Sequence, residues 1–90
     1  MTGRAAGIEA ALGRGAWAEA LELLDATPGS ATAPELLELR AQAAYGNGEF
    51  EASIGAWEAQ HAVLCEAGDH LGAARSAAMV AMFLMIDAGL

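Results

Sequence analysis

Gly15-Ala16-Trp17-Ala18-Glu19-Ala20-Leu21 and Gly48-Glu49-Phe50-Glu51-Ala52-Ser53-Ile54 stand thirty-three positions apart and carry nearly the same text. Each sets a glycine, an aromatic two residues on, small residues, and then an aliphatic. A period in the low thirties marks stacked helical hairpins, in which each unit buries its apolar face only against a neighbour. The pattern on either side of these stretches agrees. The spacing predicts one helix over about Ala5–Leu12 and a second over about Ala16–Ala26, with Gly13 and Gly15 between them. On the second, Trp17, Ala20, Leu21 and Leu24 share one face, and Glu19, Glu22 and Asp25 take the other.

The run Thr27-Pro28-Gly29-Ser30-Ala31-Thr32-Ala33 collects loop-forming residues. Pro34 suits a first helical position and Glu35 adds charge that favours a helix start, so a third helix runs from Pro34 to about Tyr45. Gly46-Asn47-Gly48 reads as a stop and turn, since Gly and Asn tolerate positive φ. A fourth helix places Phe50, Ile54, Trp57, His61 and Leu64 on a single stripe, and Gly68-Asp69 ends it. Asp69 is a natural N-cap for the fifth. That helix carries Leu71, Ala74, Ala78, Met82 and Met85 on one face, with Met79, Phe83 and Ile86 on an adjacent one. A helix apolar that far round is buried on two sides or expects a neighbour. Gly89 repeats the placement of Gly15 and Gly48, so the chain reads as a fragment, or as a protomer whose open end another chain covers. The expected fold is all-α: one domain of stacked antiparallel hairpins, about five helices or two and a half repeats. Trp17, Leu21, Leu37, Ile54 and Trp57 are expected between the hairpins.

Composition narrows the function. Alanine is the commonest residue and β-branched residues are scarce, which favours helix. The formal charge is −8, with four arginines and no lysine. Such a surface repels a phosphate backbone and an anionic membrane, so neither nucleic acid nor membrane is an expected partner. A basic or largely apolar protein or peptide fits better. Cys65, the only cysteine, cannot form an internal disulfide and suits a reducing compartment. The apolar run Ala77–Ile86 reaches about 15 Å as a helix, half a bilayer. The N-terminus lacks the apolar core of a signal peptide. A cytoplasmic protein is expected.

The segment from Ala44 to Ile54, with Ala41 before it and Trp57 after it, resembles the turn of the tetratricopeptide repeat. Arg40 departs from that pattern where leucine is usual, and no proline closes the second unit. The run Gly68-Asp69-His70-Leu71-Gly72-Ala73-Ala74-Arg75 is similar to the helical-repeat region of actinobacterial LuxR-type transcriptional regulators. In those proteins such repeats sense or bind, while a separate domain contacts DNA. The resemblance implies a non-enzymatic scaffold with a concave groove lined by the first helices of successive hairpins. Glu38, Gln42 and Tyr45 would face the groove from one unit, and Met79, Phe83 and Ile86 from the next. Met-rich grooves accept apolar helices or peptides. The competing account is that Met79, Phe83 and Ile86 simply pack, as core, on the helix expected to follow. The family's clamp for a peptide carboxyl terminus needs Lys, Arg and Asn on this face; none is expected there, so that mode is disfavoured.

Glu58, His61, Cys65 and Asp69 recur at helical spacing beside His70, and a His and a Cys four apart can share zinc. A packed histidine beside a buried thiol is the simpler account, and neither a metal nor a cofactor is expected. Ser30, Ser53 and Ser76 lack a nucleophile-elbow context. The glycines at 13, 15, 46 and 48 follow no strand, as a phosphate loop would require. Two functions compete: an interaction scaffold in a bacterial regulator's sensing or docking region, or a self-contained helical protein that homodimerises through its last helix. In the second, Phe83 would lie at the seam between copies.

Overall fold

The computed structural model describes residues 5–89. Five helices follow one another: α1 (Ala6–Gly13), α2 (Trp17–Asp25), α3 (Pro34–Gly46), α4 (Phe50–Ala67) and α5 (His70–Asp87). No strand occurs among the described residues. Each helix packs on the next, α1 also touches α3, and the α3–α4 and α4–α5 interfaces are the largest. With short turns between them, the paired helices run antiparallel.

Three of the four connections close in the same way. The backbone N–H of Ala16 reaches Ala11 O at 2.9 Å, that of Glu49 reaches Ala44 O at 2.8 Å, and that of Asp69 reaches Leu64 O at 2.9 Å. These six-to-one bonds need a left-handed residue just before the donor, and Gly15, Gly48 and Gly68 supply it with φ of 74°, 80° and 78°. The repeat read in the sequence is therefore a repeated helix stop. Asn47 takes no part in the left-handed geometry, since its φ is −85°. Gly46 is helical too, and is small for another reason: a Cβ there would collide with the indole of Trp17.

Trp17 and Phe50, the matched aromatics, each open the second helix of a hairpin and reach forward. Trp17 covers Gly46 at the end of α3. Phe50 stacks on Phe83 of α5, with ring centroids 5.4 Å apart. The connection from α2 to α3 is different, a loop fastened from α3. Arg40 Nη1 pairs with Asp25 at 3.0 Å, and Nη2 lies 3.5 Å from Ser30 Oγ. This explains the arginine where the repeat pattern has leucine. Asp69 caps α5 as the sequence indicated, its Oδ1 accepting from Gly72 N–H at 2.9 Å.

Two core clusters share α3. Ile8, Ala11, Ala20 and Leu24 pack on Leu36 and Ala43; on the other side, Ala41 packs with Ala56, Trp57 and Phe83. The small residues let helix axes approach closely. Leu37 and Trp57 are buried as expected, but Trp17, Leu21 and Ile54 are only half-buried. On α4 the deepest positions are Ser53, Ala56, Trp57 and Gln60 rather than the whole Phe50–Leu64 stripe. Polar atoms go inside because each is matched. Ser53 Oγ donates to Ala41 O at 2.7 Å. Gln60 Nε2 donates to Pro34 O at 2.8 Å, and Gln60 Oε1 accepts from Ser76 Oγ at 2.6 Å. Among the described residues no buried side-chain polar atom is left unmatched. This polar seam ties α4 to α3 and α5 and fixes their register.

Candidate functional site: a groove between α3 and α5

Helices α3 and α5 both pack on α4, leaving a trough of about 240 Å³ between them. Glu38, Ala41, Gln42 and Tyr45 line it from α3, at a spacing that keeps them on one face. Arg75, Met79 and Phe83 line it from α5 at four-residue steps, and Trp57 of α4 forms the floor. One end is aromatic: the Tyr45 ring stacks on Phe83 at 5.3 Å and lies 6.1 Å from Phe50. The other end is ionic. Arg75 Nη1 and Nη2 donate to Glu38 Oε1 and Oε2 at 2.8 and 3.1 Å, a two-pronged pair. The Arg75 guanidinium also lies 5.6 Å from the Trp57 ring centroid, within reach of its π-face.

That pairing sets the charge state. Hydrogen bonding from Arg75 holds the Glu38 carboxyl below its usual range, against an upward push from burial, with smaller contributions from the Arg75 charge and the Gln60 side chain. The Arg75 guanidinium is held correspondingly above its ordinary value by Glu38.

Of the six residues expected to face a groove, Glu38, Gln42, Tyr45, Met79 and Phe83 do line this one. Ile86 does not; it lies half-exposed beyond the trough. Phe83 is at once lining and core, only 8% exposed within a single chain. This corrects its placement at a seam between copies. Met79 is half-buried against the same cluster. The expectation that this face carries no basic residue is also corrected, because Arg75 stands at its rim. Arg75 shares the helical phase of Met79 and Phe83, so spacing alone could have found it. Its partner lies thirty-seven positions away, and that separation hides the pair.

Of the His–Cys constellation, His61 and Cys65 meet each other and Asp69 does not join them. His61 Nδ1 lies 2.8 Å from Ala73 O, and its Nε2 lies 3.5 Å from Cys65 Sγ. Cys65 is exposed, not buried as expected. Asp69 is occupied in capping α5. Among the described residues no three His, Cys, Asp or Glu side chains gather closely enough to hold a metal ion. No described helix is long and apolar enough to cross a membrane.

No family model, curated protein or solved structure matches this chain.

Proposed function

We propose that this chain is a non-enzymatic protein-interaction scaffold that holds an apolar segment of a partner protein in the α3–α5 groove. The observation that carries the reading is the trough itself. It is concave, floored by Trp57, walled by Tyr45, Met79 and Phe83, and given polarity by Glu38, Arg75 and Gln42. Mostly apolar walls with a few fixed polar groups are what a recognition site requires. Aromatic and arginine side chains are the types that dominate interface energetics. The resemblance of the turn into α5 to helical repeats of bacterial LuxR-type regulators suggests a sensing or docking role in such a regulator.

The test is selection of random peptides on the intact chain, counter-screened with Gln42→Trp. Gln42 is exposed on α3, so a bulky ring there fills the groove mouth without disturbing the core. Peptides that bind the native chain and lose at least about tenfold in affinity for the variant, roughly 1.4 kcal/mol, are the expected result. Recovery of no such peptides would overturn the reading.

A second reading is favoured by one feature. Leu71, Met82 and Met85 recur along the face of α5 turned away from α4, and are 85%, 44% and 55% exposed. A stripe of that kind is commonly covered by a partner, and a second copy of α5 would give a self-complementary seam. Sedimentation at micromolar concentration should then report a dimer that Met82→Glu shifts toward monomer. A native chain that sediments as a monomer would remove this reading and leave the groove proposal untouched.

A further inference from the structure

We infer that the groove selects partner segments in which a lysine or arginine stands beside the apolar anchor, and that this cation takes Glu38 from Arg75. The inference rests on the groove reading above and adds the chemistry of the partner to it.

The first observation is the asymmetry of the trough. Its aromatic end is built from Tyr45 and Phe83 and offers ring surface with no ionised group. Its other end offers one carboxylate, Glu38, which is half-buried and already in a two-pronged contact. An apolar side chain entering the trough meets Met79 and the ring of Tyr45, which line it, so the next residue of its segment meets the Glu38–Arg75 pair.

The second observation is that the two members of the pair are not equally fixed. The Glu38 side chain is 29% exposed and the Arg75 side chain 56%. Glu38 sits on the buried side of the contact, on a helix held from both faces by the two core clusters. Arg75 reaches across from α5 on a long stem, and its guanidinium, the more exposed member, is the one that can turn into water. Because a two-pronged pair is stronger than an ordinary exposed ion pair, the incoming cation has to replace its contact to Glu38 in full. Arg75 thus behaves as a resident occupant of the place a partner's cation would take, beside a carboxylate and over the Trp57 face.

The third observation selects the sign of the partner. Helices α3, α4 and α5 carry Glu35, Glu38, Glu51, Glu58, Glu66 and Asp87 against only Arg40 and Arg75. Arg40 is engaged with Asp25 at the opposite side of α3. A partner carboxylate seeking Arg75 would approach a surface of its own sign and would strip Glu38 of its counter-charge. A partner cation approaches a surface of opposite sign, and Glu38 exchanges one guanidinium or ammonium for another. Complementary charge of this kind speeds encounter and suppresses wrong partners.

The peptides recovered by the selection above supply the probe, measured on the intact ninety-residue chain with Glu38→Gln and Arg75→Ala. Neither variant removes a buried apolar group. The expected result has three parts. The peptides share an apolar residue with Lys or Arg next to it in the bound conformation; Glu38→Gln weakens them about tenfold; and Arg75→Ala tightens them several-fold, because it removes the competitor. Opposite movement of the two variants separates exchange at Glu38 from a merely structural role of the pair, which would weaken binding in both. Peptides that depend on the groove by the Gln42→Trp criterion but lack the basic residue, or that Arg75→Ala weakens, would overturn this inference and leave the groove reading standing. Absence of any groove-dependent peptide would overturn both.

Discussion

Trp57→Ala is expected to cost about 3–5 kcal/mol of folding stability, the range for deleting a large aromatic from a core. Trp57 is only 3% exposed and belongs to the cluster that joins α3, α4 and α5. Helices α3 and α5 pack on α4 rather than along each other, so the indole is what fills the wedge between them. Ala41 and Ala56 on its flanks are too short to reach into the space, so relaxation closes it only in part. The loss takes much of the 5–15 kcal/mol margin of an ordinary domain, and a chain of ninety residues stands at the low end of that range. Urea denaturation followed by helical circular dichroism should show the midpoint falling by about 2–3 M, or no folded baseline at all. Trp17 remains as a fluorescent reporter of the α2–α3 contact, so the variant also asks whether the two core clusters unfold together. A midpoint equal to that of the native chain would mean that Trp57 is not a core residue.

The sequence made the helices legible because local chemistry determines them. Gly15 and Gly48 mark two repeated helix stops, Pro34 opens α3, and Asp69 caps α5 where its side chain can reach Gly72 N–H. Five of the six groove residues could be placed by helical phase once the hairpins were in register. What sequence left hidden depends on contacts between distant helices. Gly46 looked like part of a turn, yet it is small because Trp17, twenty-nine positions earlier, lies on it. Phe83 could be read either as core or as meeting a second copy, and the choice rests on Tyr45 and Phe50, which cover it within the chain. Ser53, Gln60 and Ser76 did not register as interior positions, because hydropathy assigns them to the surface. They become interior residues only because Ala41 O, Pro34 O and one another supply their hydrogen bonds.

Gln60→Glu tests that polar seam with a pH signature, and is expected to cost about 2–4 kcal/mol at neutral pH, the scale for a buried polar group that loses its partner and gains charge. Gln60 is 3% exposed. Its Nε2 donates to Pro34 O and its Oε1 accepts from Ser76 Oγ. A carboxylate keeps the second contact but turns the first into two oxygens facing each other. It also stands near Glu38, whose charged form the present amide helps to hold. Burial, the Pro34 carbonyl and the Glu38 charge all favour the protonated form, so the new carboxyl has a folded-state pKa raised above its unfolded value of about 4.3. The electrostatic penalty is then absent below about pH 4, where the group is protonated in both states. It grows as pH rises above the unfolded value and levels off above the folded one. Protonation also restores a donor for Pro34 O. Stability relative to the native chain should therefore recover on acidification in Gln60→Glu, while Gln60→Leu, with no group to titrate, should show a difference that changes little with pH. Measuring both differences by denaturant unfolding between about pH 4 and 7 cancels the titrations that native and variant share. A Gln60→Glu deficit equal at both ends of that range would show that the seam is open to water, and that Gln60 does not hold α3 and α5 in register.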